Sequence, residues 1–286
     1  MRSLPELFEG DRGEEAPGLS LDALLRRLPG EDRGRAPGPV TLRLRAAAAG
    51  LSRLAGLLVF PSFCHICREP LEAAGERIVC GACLSRLASR HGAACPRCGR
   101  FHQGAGEDHP CARCLSAAPA FSLHRSCGVY GGTLKDVILL FKYRRYAPLS
   151  RPLAGYAAAC LAGEPGLWEG AEFLVPVPLH PSRRRERGFN QSRLLARDLA
   201  ALRDLGVLAG SLVKTRNAPA QAGLRAADRE RNARGAYAVR RQARVEGRTL
   251  ILVDDVTTTG ATIRECARVL KEAGAKDVRA ITLAQA

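Results

Sequence analysis

The stretch Leu250–Thr262 reads LILVDDVTTTGAT, and the interpretation of the whole chain starts from it. It opens with four apolar residues, a short run that predicts a buried strand of a parallel sheet. Two acids follow directly, Asp254 and Asp255, and then a turn of hydroxyl residues that contains Gly260. Apolar residues recur at helical spacing after the turn. The stretch therefore predicts strand, turn and helix, with the acids at the carboxyl end of the strand, where open α/β sheets bind ligands.

The residue types of this stretch favour a phosphorylated ribose as the ligand. Adjacent carboxylates accept hydrogen bonds from a vicinal diol, while threonine hydroxyls and the free amides of a helix N-terminus suit a phosphate monoester. Gly260 lets the backbone approach the phosphate with no Cβ in the way. The plainer alternative is an ordinary strand–turn–helix with a solvated acid pair, and the agreement of all four features favours the ligand site. The turn residues assigned to the ligand are Val256, Thr257, Thr258, Thr259, Gly260, Ala261 and Thr262.

This arrangement resembles the phosphoribosyl-pyrophosphate (PRPP) signature of the type I phosphoribosyltransferases. The resemblance implies an α/β fold, a parallel sheet flanked by helices. Two other nucleotide-binding motifs are absent, since the sequence contains neither Gly-Lys-Ser/Thr nor GxGxxG.

The length of the chain limits its domain organisation, and its charge indicates which ligands it favours. The chain of 286 residues can hold one sizeable α/β core and a smaller module. Its formal net charge is +16, and residues 128–286 carry 27 Lys and Arg against 15 Asp and Glu, a surplus of +12. Such a surface favours phosphate-rich ligands, nucleic acid included.

The sequence predicts neither a membrane span nor a signal peptide. It has no run of eighteen or more uncharged apolar residues, and its N-terminus lacks the basic-then-apolar order of a signal peptide. Together with cysteines at metal-type spacing, this predicts a cytoplasmic protein without a membrane partner.

The cysteines form an internal repeat of two CxxC pairs with an offset of 31 residues, which favours two structural zinc sites of four thiolates each. Disulfides are the alternative, which a reducing cytosol disfavours. We expect each site to form within one repeat, although cross-braced pairing stays open because the gap between the repeats is nearly as long as the gaps within them. The predicted ligands are Cys64, Cys67, Cys80 and Cys83 in the first repeat and Cys95, Cys98, Cys111 and Cys114 in the second.

The sequence divides into four parts. Residues 1–45 are rich in charged residues, Pro and Gly and predict a disordered tail. Residues 46–63 predict a connecting helix that ends before Pro61. Residues 64–117 are the expected double zinc ribbon, and residues 125–286 the expected α/β domain, which opens with a strand over Ser126–Tyr130.

Further segments of that domain are candidates for the same ligand. The predicted helix Thr133–Tyr143 ends in a basic and aromatic cluster, Lys142–Tyr146, which suits phosphates, a stacked base or a single strand, or is only a solvated helix end. A predicted strand, Phe173–Leu179, leads into the arginine-rich loop His180–Asn190, whose cations suit a pyrophosphate. Residues 216–224 predict a mobile loop that closes over the substrate.

Three segments together carry a family resemblance: VPVPLHPSRRRERGFNQS, TRNAPAQAGLRAADRERN and LILVDDVTTTGAT. With the cysteine repeats before them, the chain resembles the ComF family, a double zinc ribbon followed by a type I phosphoribosyltransferase domain. The resemblance implies that Asp254 and Asp255 are the catalytic pair, holding the ribose hydroxyls of PRPP, which binds with Mg²⁺, and that the threonine turn holds the 5′-phosphate. It also implies that the pyrophosphate and its surroundings are contacted by Leu179, His180, Arg183, Arg187, Gly188, Asn190 and Lys142.

Two functions follow as hypotheses. The first is a phosphoribosyltransferase, an enzyme in which pyrophosphate is displaced at the ribose C1′. The resemblance to the ComF family implies that this enzyme takes part in DNA uptake and natural transformation. The second is a non-catalytic protein that senses PRPP or a nucleotide and binds single-stranded DNA or a helicase partner. They differ in whether an acceptor pocket is built.

Overall fold

The computed structural model describes residues 62–71, 78–87, 92–102, 106–216 and 226–286. The predicted tail over residues 1–45, nearly all of the predicted helix over residues 46–63, and most of the predicted mobile loop over residues 216–224 lie outside these ranges.

The sequence repeat is also a structural repeat. Within the described residues, each ribbon has one isolated antiparallel bridge, Phe63 to Pro70 in the first and Ala94 to Phe101 in the second, so the 31-residue offset holds at both ends of the bridge. A one-turn helix follows the third cysteine of each ribbon: α1, Gly81–Ser85, and α2, Ala112–Ser116.

The domain is built on a five-stranded parallel sheet with the order β1-β7-β6-β2-β3. Strands β4 and β5 form a separate antiparallel pair. The strands are β1 Leu123–Val129, β2 Phe173–Pro176, β3 Gly206–Val207, β4 Leu212–Lys214, β5 Tyr237–Val239, β6 Thr249–Thr257 and β7 Asp277–Gln285. The central strand, β6, is the apolar run of the organising stretch, and it carries the acid pair at its carboxyl end.

Helices cover both faces of the sheet. They are α3 Gly132–Tyr143, α4 Ser150–Cys160, α5 Pro165–Trp168, α6 Pro181–Arg187, α7 Gln191–Arg203, α8 Ala226–Ala233 and α9 Ala261–Glu272, and the 3-10 turns are Ala147–Leu149 and Gln242–Arg244. Successive β6 side chains alternate between the faces: Ile251 and Val253 pack with α3, α4 and α7, whereas Leu250 and Leu252 pack with α9 and the β4–β5 pair. Burial on both faces explains why this strand reads as a continuous apolar run.

Three predicted elements differ in the structure. The strand expected over Phe173–Leu179 ends at Pro176, although Val177 still donates its amide to Val253 at 3.0 Å. The loop expected over His180–Asn190 is largely the helix α6, which begins with Pro181 at its first position and is capped by the ring of His180 accepting from the Ser182 amide. The first strand begins at Leu123, three residues before the predicted start.

Candidate functional site

An open cavity of about 340 Å³ lies at the carboxyl ends of β2 and β6. The acid pair stands on one side of it. Among the residues that the structure describes, five cations also line it, from four different parts of the domain: Lys142, Arg183, Arg187, Lys214 and Arg229. A cavity with two acids and five cations suits a ligand that combines hydroxyl groups with several phosphate charges.

The two acids have different partners. Asp254 accepts hydrogen bonds at Oδ1 from the Ser192 hydroxyl and from the Asp255 amide, both at 2.9 Å. Asp255 is buried and forms an ion pair with Lys142, whose Nζ lies 2.8 Å from Oδ1. Burial and then the charge of Asp255 raise the pKa of Asp254 to about 7. Burial opposes the charge of Lys142, but the two carboxylates outweigh it and raise the pKa of that ammonium group.

The hydroxyl turn divides into residues that face the cavity and residues that shape the turn. The cavity is lined by Val256, Thr258 and Thr262. Gly260 has a φ of 75° at the N-cap of α9, a left-handed conformation that favours glycine. The Thr259 hydroxyl accepts from the Ala261 amide at 3.3 Å, at the first residue of the helix, while Thr257 is buried in the strand. The cavity lining therefore excludes Thr257, Thr259, Gly260 and Ala261.

The arginine-rich segment divides in the same way. Leu179, His180, Arg183 and Arg187 line the cavity. Gly188 instead ends α6 with a φ of 83°. Asn190 shapes the segment from behind, because its Nδ2 donates to the Val177 carbonyl at 3.0 Å and its Oδ1 accepts from the Ser192 amide.

Several lining residues were not among the predicted site residues: Tyr130, Tyr143, Ser192, Lys214, Arg229 and Tyr237. Tyr143 belongs to the basic and aromatic cluster and Ser192 ends the RGFNQS motif, so both had a sequence signal. Lys214 and Tyr237 reach the cavity through the pairing of β4 with β5, which no local pattern indicates. Burial lowers the pKa of Lys214, and its Nζ lies 5.4 Å from the centre of the Tyr237 ring.

The eight cysteines of the repeat form two clusters, one within each ribbon. In each cluster the four Sγ atoms lie within 4.8 Å of one another, so the predicted pairing within each repeat is confirmed. Burial raises the pKa of the Cys64 thiol, but amide hydrogen bonds outweigh it and bring the pKa to about 6; Cys95, its equivalent in the second ribbon, behaves alike. Burial raises the pKa of Cys80 and Cys83 in the first cluster and of Cys98 and Cys114 in the second, so the metal itself would have to hold these thiols as thiolates. Four soft sulfur donors grouped in this way fit Zn²⁺ at tetrahedral geometry.

Comparison with known proteins identifies a known domain in each of the two parts of the chain, the cysteine repeats and the α/β domain. The double zinc ribbon domain matches residues 56–136, and the phosphoribosyl transferase domain matches residues 195–286. The clusters are thus two structural zinc sites. A "DNA utilization protein YhgH" from Escherichia coli O6:H1 is 32% identical over 226 residues, which cover 78% of this chain and 96% of the relative. "Competence protein F" from Haemophilus influenzae is 30% identical with the same coverage.

Among solved structures, the phosphoribosylpyrophosphate synthetase of Mycobacterium smegmatis aligns with a TM-score of 0.26 and 22% identity, covering 46% of this chain and 33% of that one. A likeness of this size carries no conclusion about function.

Among the helices of the described residues, none has the length and apolar character needed to cross a membrane. The two domain matches, the two cysteine clusters and the relatives at about one-third identity over most of their length agree with one another. This chain belongs to the ComF family, in which a double zinc ribbon precedes a phosphoribosyltransferase domain.

Proposed function

We propose that the cavity binds PRPP with Mg²⁺ and that an acceptor nucleophile forms a bond to the ribose C1′ there as the bond from C1′ to pyrophosphate breaks. The observation that carries this proposal is the placement of the acid pair beside a threonine turn, with cations on the surrounding walls. Asp254 and Asp255 would accept from the ribose diol, and Thr258 with the amides of the turn would hold the 5′-phosphate. Arg183, Arg187 and Lys142 would face the pyrophosphate.

The acid pair also fits Mg²⁺, because two carboxylates at one cavity wall are hard oxygen donors of the kind this ion prefers. Asp254 and Asp255 are the residues that would hold it, and when bound it would neutralise charge on the leaving pyrophosphate. The same carboxylates would stabilise positive charge that develops at C1′ as the bond to pyrophosphate breaks. The cations that line the cavity would stabilise the negative charge that develops on the departing pyrophosphate.

We further propose that this chemistry serves the handling of incoming DNA in the cytoplasm. The names of the relatives refer to competence and DNA utilization. The basic surplus of the domain supports a nucleic-acid partner. A specific observation favours the alternative of a PRPP- or nucleotide-sensing protein that binds single-stranded DNA or a helicase partner. Tyr143 is 57% exposed at the rim of the cavity, with the Arg187 guanidinium 5.2 Å from its ring centre, a platform on which a base can stack.

Calorimetric titration of PRPP with Mg²⁺ tests the site. The informative variant is Asp254→Asn, which keeps an Oδ1 acceptor for Ser192 and removes a charge that burial disfavours, so the fold is preserved. We expect binding to weaken by about 1–3 kcal/mol because the amide is a poorer partner for the diol and the metal. Asp136→Asn, on the exposed side of α3, is the matched control and leaves affinity unchanged. Wild-type protein that gives no heat with PRPP and Mg²⁺ would overturn the proposed site.

Release of pyrophosphate from PRPP across a panel of nucleobase and nucleotide acceptors separates the two functions. Turnover with any acceptor establishes the transferase. If PRPP binds without turnover, and single-stranded DNA binds with an affinity that falls roughly a thousandfold between low and moderate salt, the binding protein is the better account.

A further inference from the structure

The second zinc ribbon contacts the hydroxyl turn, Thr257–Thr262, directly. Arg113, on α2 of that ribbon, donates through Nη1 to the Thr259 carbonyl at 2.5 Å. The two residues are 146 positions apart in the sequence. Arg113 is also paired with Glu230 on α8, the helix whose neighbouring residue, Arg229, lines the cavity. One side chain of the ribbon therefore holds both the turn and a helix on another wall of the cavity.

A second arginine makes the reciprocal contact. Arg264 lies in the first turn of α9, directly after the hydroxyl turn, and it donates through Nη2 to the Cys114 sulfur at 3.6 Å and through Nη1 to the Ala117 carbonyl at 3.2 Å. Cys114 is a zinc ligand, so the position of its sulfur depends on the metal. The helix that carries the turn is thereby attached to the ribbon at its metal centre.

The ribbon itself is docked firmly enough to act as a support. His124 in β1 donates its amide to the Arg97 carbonyl at 2.8 Å, and its Nδ1 lies 3.0 Å from the Cys98 carbonyl. Gly99 packs so closely on this strand that an added Cβ would lie 2.4 Å from the His124 carbonyl oxygen. A support fixed to the sheet can hold the turn in one conformation before the ligand arrives.

We propose that Arg113 and Arg264 are positioning residues through which the zinc-loaded second ribbon sets the conformation of the turn Thr257–Thr262. Neither side chain is required to touch the ligand. This inference rests on the proposed function only in naming the ligand, because the coupling of the ribbon to the turn is a property of the free protein. The ligand class that depends on it is the sugar 5′-phosphate and not the pyrophosphate, which the α6 segment would face.

The test uses the full chain carrying Arg113→Met or Arg264→Met, with Arg125→Met as the matched control. Arg125 also bridges the second ribbon and the domain, through the Pro96 carbonyl at 3.0 Å and Glu164, but it does not contact the turn. Glu230→Gln separates the α8 contact of Arg113 from its contact with Thr259. Metal analysis should give two zinc per chain in all four variants.

Hydrogen–deuterium exchange of the ligand-free protein measures the coupling. We expect the amides of residues 257–262 to exchange about tenfold faster in Arg113→Met and in Arg264→Met, and at the wild-type rate in Arg125→Met. Exchange at the wild-type rate in Arg113→Met with full zinc, or an equal acceleration in Arg125→Met, would overturn the proposal.

Affinity measurements with two separate probes give the second readout. Ribose 5-phosphate should bind about tenfold more weakly to Arg113→Met, while pyrophosphate binding stays within about twofold of the wild type. An equal loss for both probes would contradict a specific effect on the turn. If wild-type protein binds neither probe, the proposed function fails, and the exchange measurement still decides whether the ribbon holds the turn.

Discussion

The two zinc ribbons share one sequence pattern but join the domain in different ways. The first ribbon contributes Cys64, Leu71 and Val79 to the large hydrophobic core that contains α3, α4 and α7. Cys95, Cys111 and Cys114 of the second ribbon form a small cluster of their own. Cys98 packs, partly buried, against the core that contains α9, and hydrogen bonds and an ion pair attach the ribbon to β1, to the hydroxyl turn and to α8. Apolar packing makes the first ribbon part of the core. Because hydrogen bonds and ion pairs are directional, the second ribbon is suited to positioning the hydroxyl turn.

One pair of equivalent residues differs between the two ribbons because the ribbons dock differently on the domain. Arg68 and Gly99 are separated by the repeat offset, and both have a left-handed backbone, with φ of 68° and 62°. The position is exposed in the first ribbon and accommodates an arginine side chain. In the second ribbon it lies against the His124 carbonyl, where no Cβ fits. The glycine is thus required by docking and not by the zinc knuckle itself.

The largest expected effect comes from breaking the first zinc site. Cys64→Ser should lower the melting temperature by on the order of ten degrees. The free energy of zinc binding that folds the first ribbon also stabilises the main core, because residues of that ribbon are part of the core. Cys95→Ser, at the equivalent position, should reduce zinc from two to one per chain in the same way but lower the melting temperature less. Calorimetric melting with metal analysis measures both, and a larger loss in Cys95→Ser would contradict the division of roles.

An intermediate effect is expected from Gly99→Ala. The added Cβ clashes with backbone at a left-handed position, so unfolding should become easier by about 1–3 kcal/mol while two zinc ions stay bound. The control, Arg68→Gly, places glycine at the same point of the first knuckle and should change stability by less than about 1 kcal/mol. Chemical denaturation compares the two, and equal destabilisation would show that the ribbons do not differ in docking.

Part of the fold and of the candidate site could be predicted from the sequence, and part could not. The segment from β6 to α9 was predictable because strand, acids, turn and helix follow one another locally, and the zinc clusters were predictable from their spacing. Helix α6 was missed because none of its residues is buried, so it has no apolar face to give a helical period. Lys214, Tyr237 and Arg113 were missed because strand pairing and domain docking bring them to the site from distant positions.

The smallest expected effect is from Tyr146→Phe. The Tyr146 hydroxyl lies 3.1 Å from Nε2 of His65, a polar contact between the first ribbon and the domain. If apolar packing holds this ribbon, losing one exposed hydrogen bond should change the free energy of unfolding by less than about 1 kcal/mol and leave ligand affinity unchanged. A drop as large as that of Gly99→Ala would mean that the first ribbon is also held by directional contacts.

The most direct test of the account is hydrogen–deuterium exchange of the wild-type protein with and without PRPP and Mg²⁺. Residues 254–262 and 179–187 should become protected, and the protection should extend through Arg113 into α2 of the second ribbon, with no change in α1 of the first. Absence of protection over residues 254–262 on saturation with PRPP would contradict the assignment of the site. Equal protection of α1 and α2 would contradict the separate role of the second ribbon.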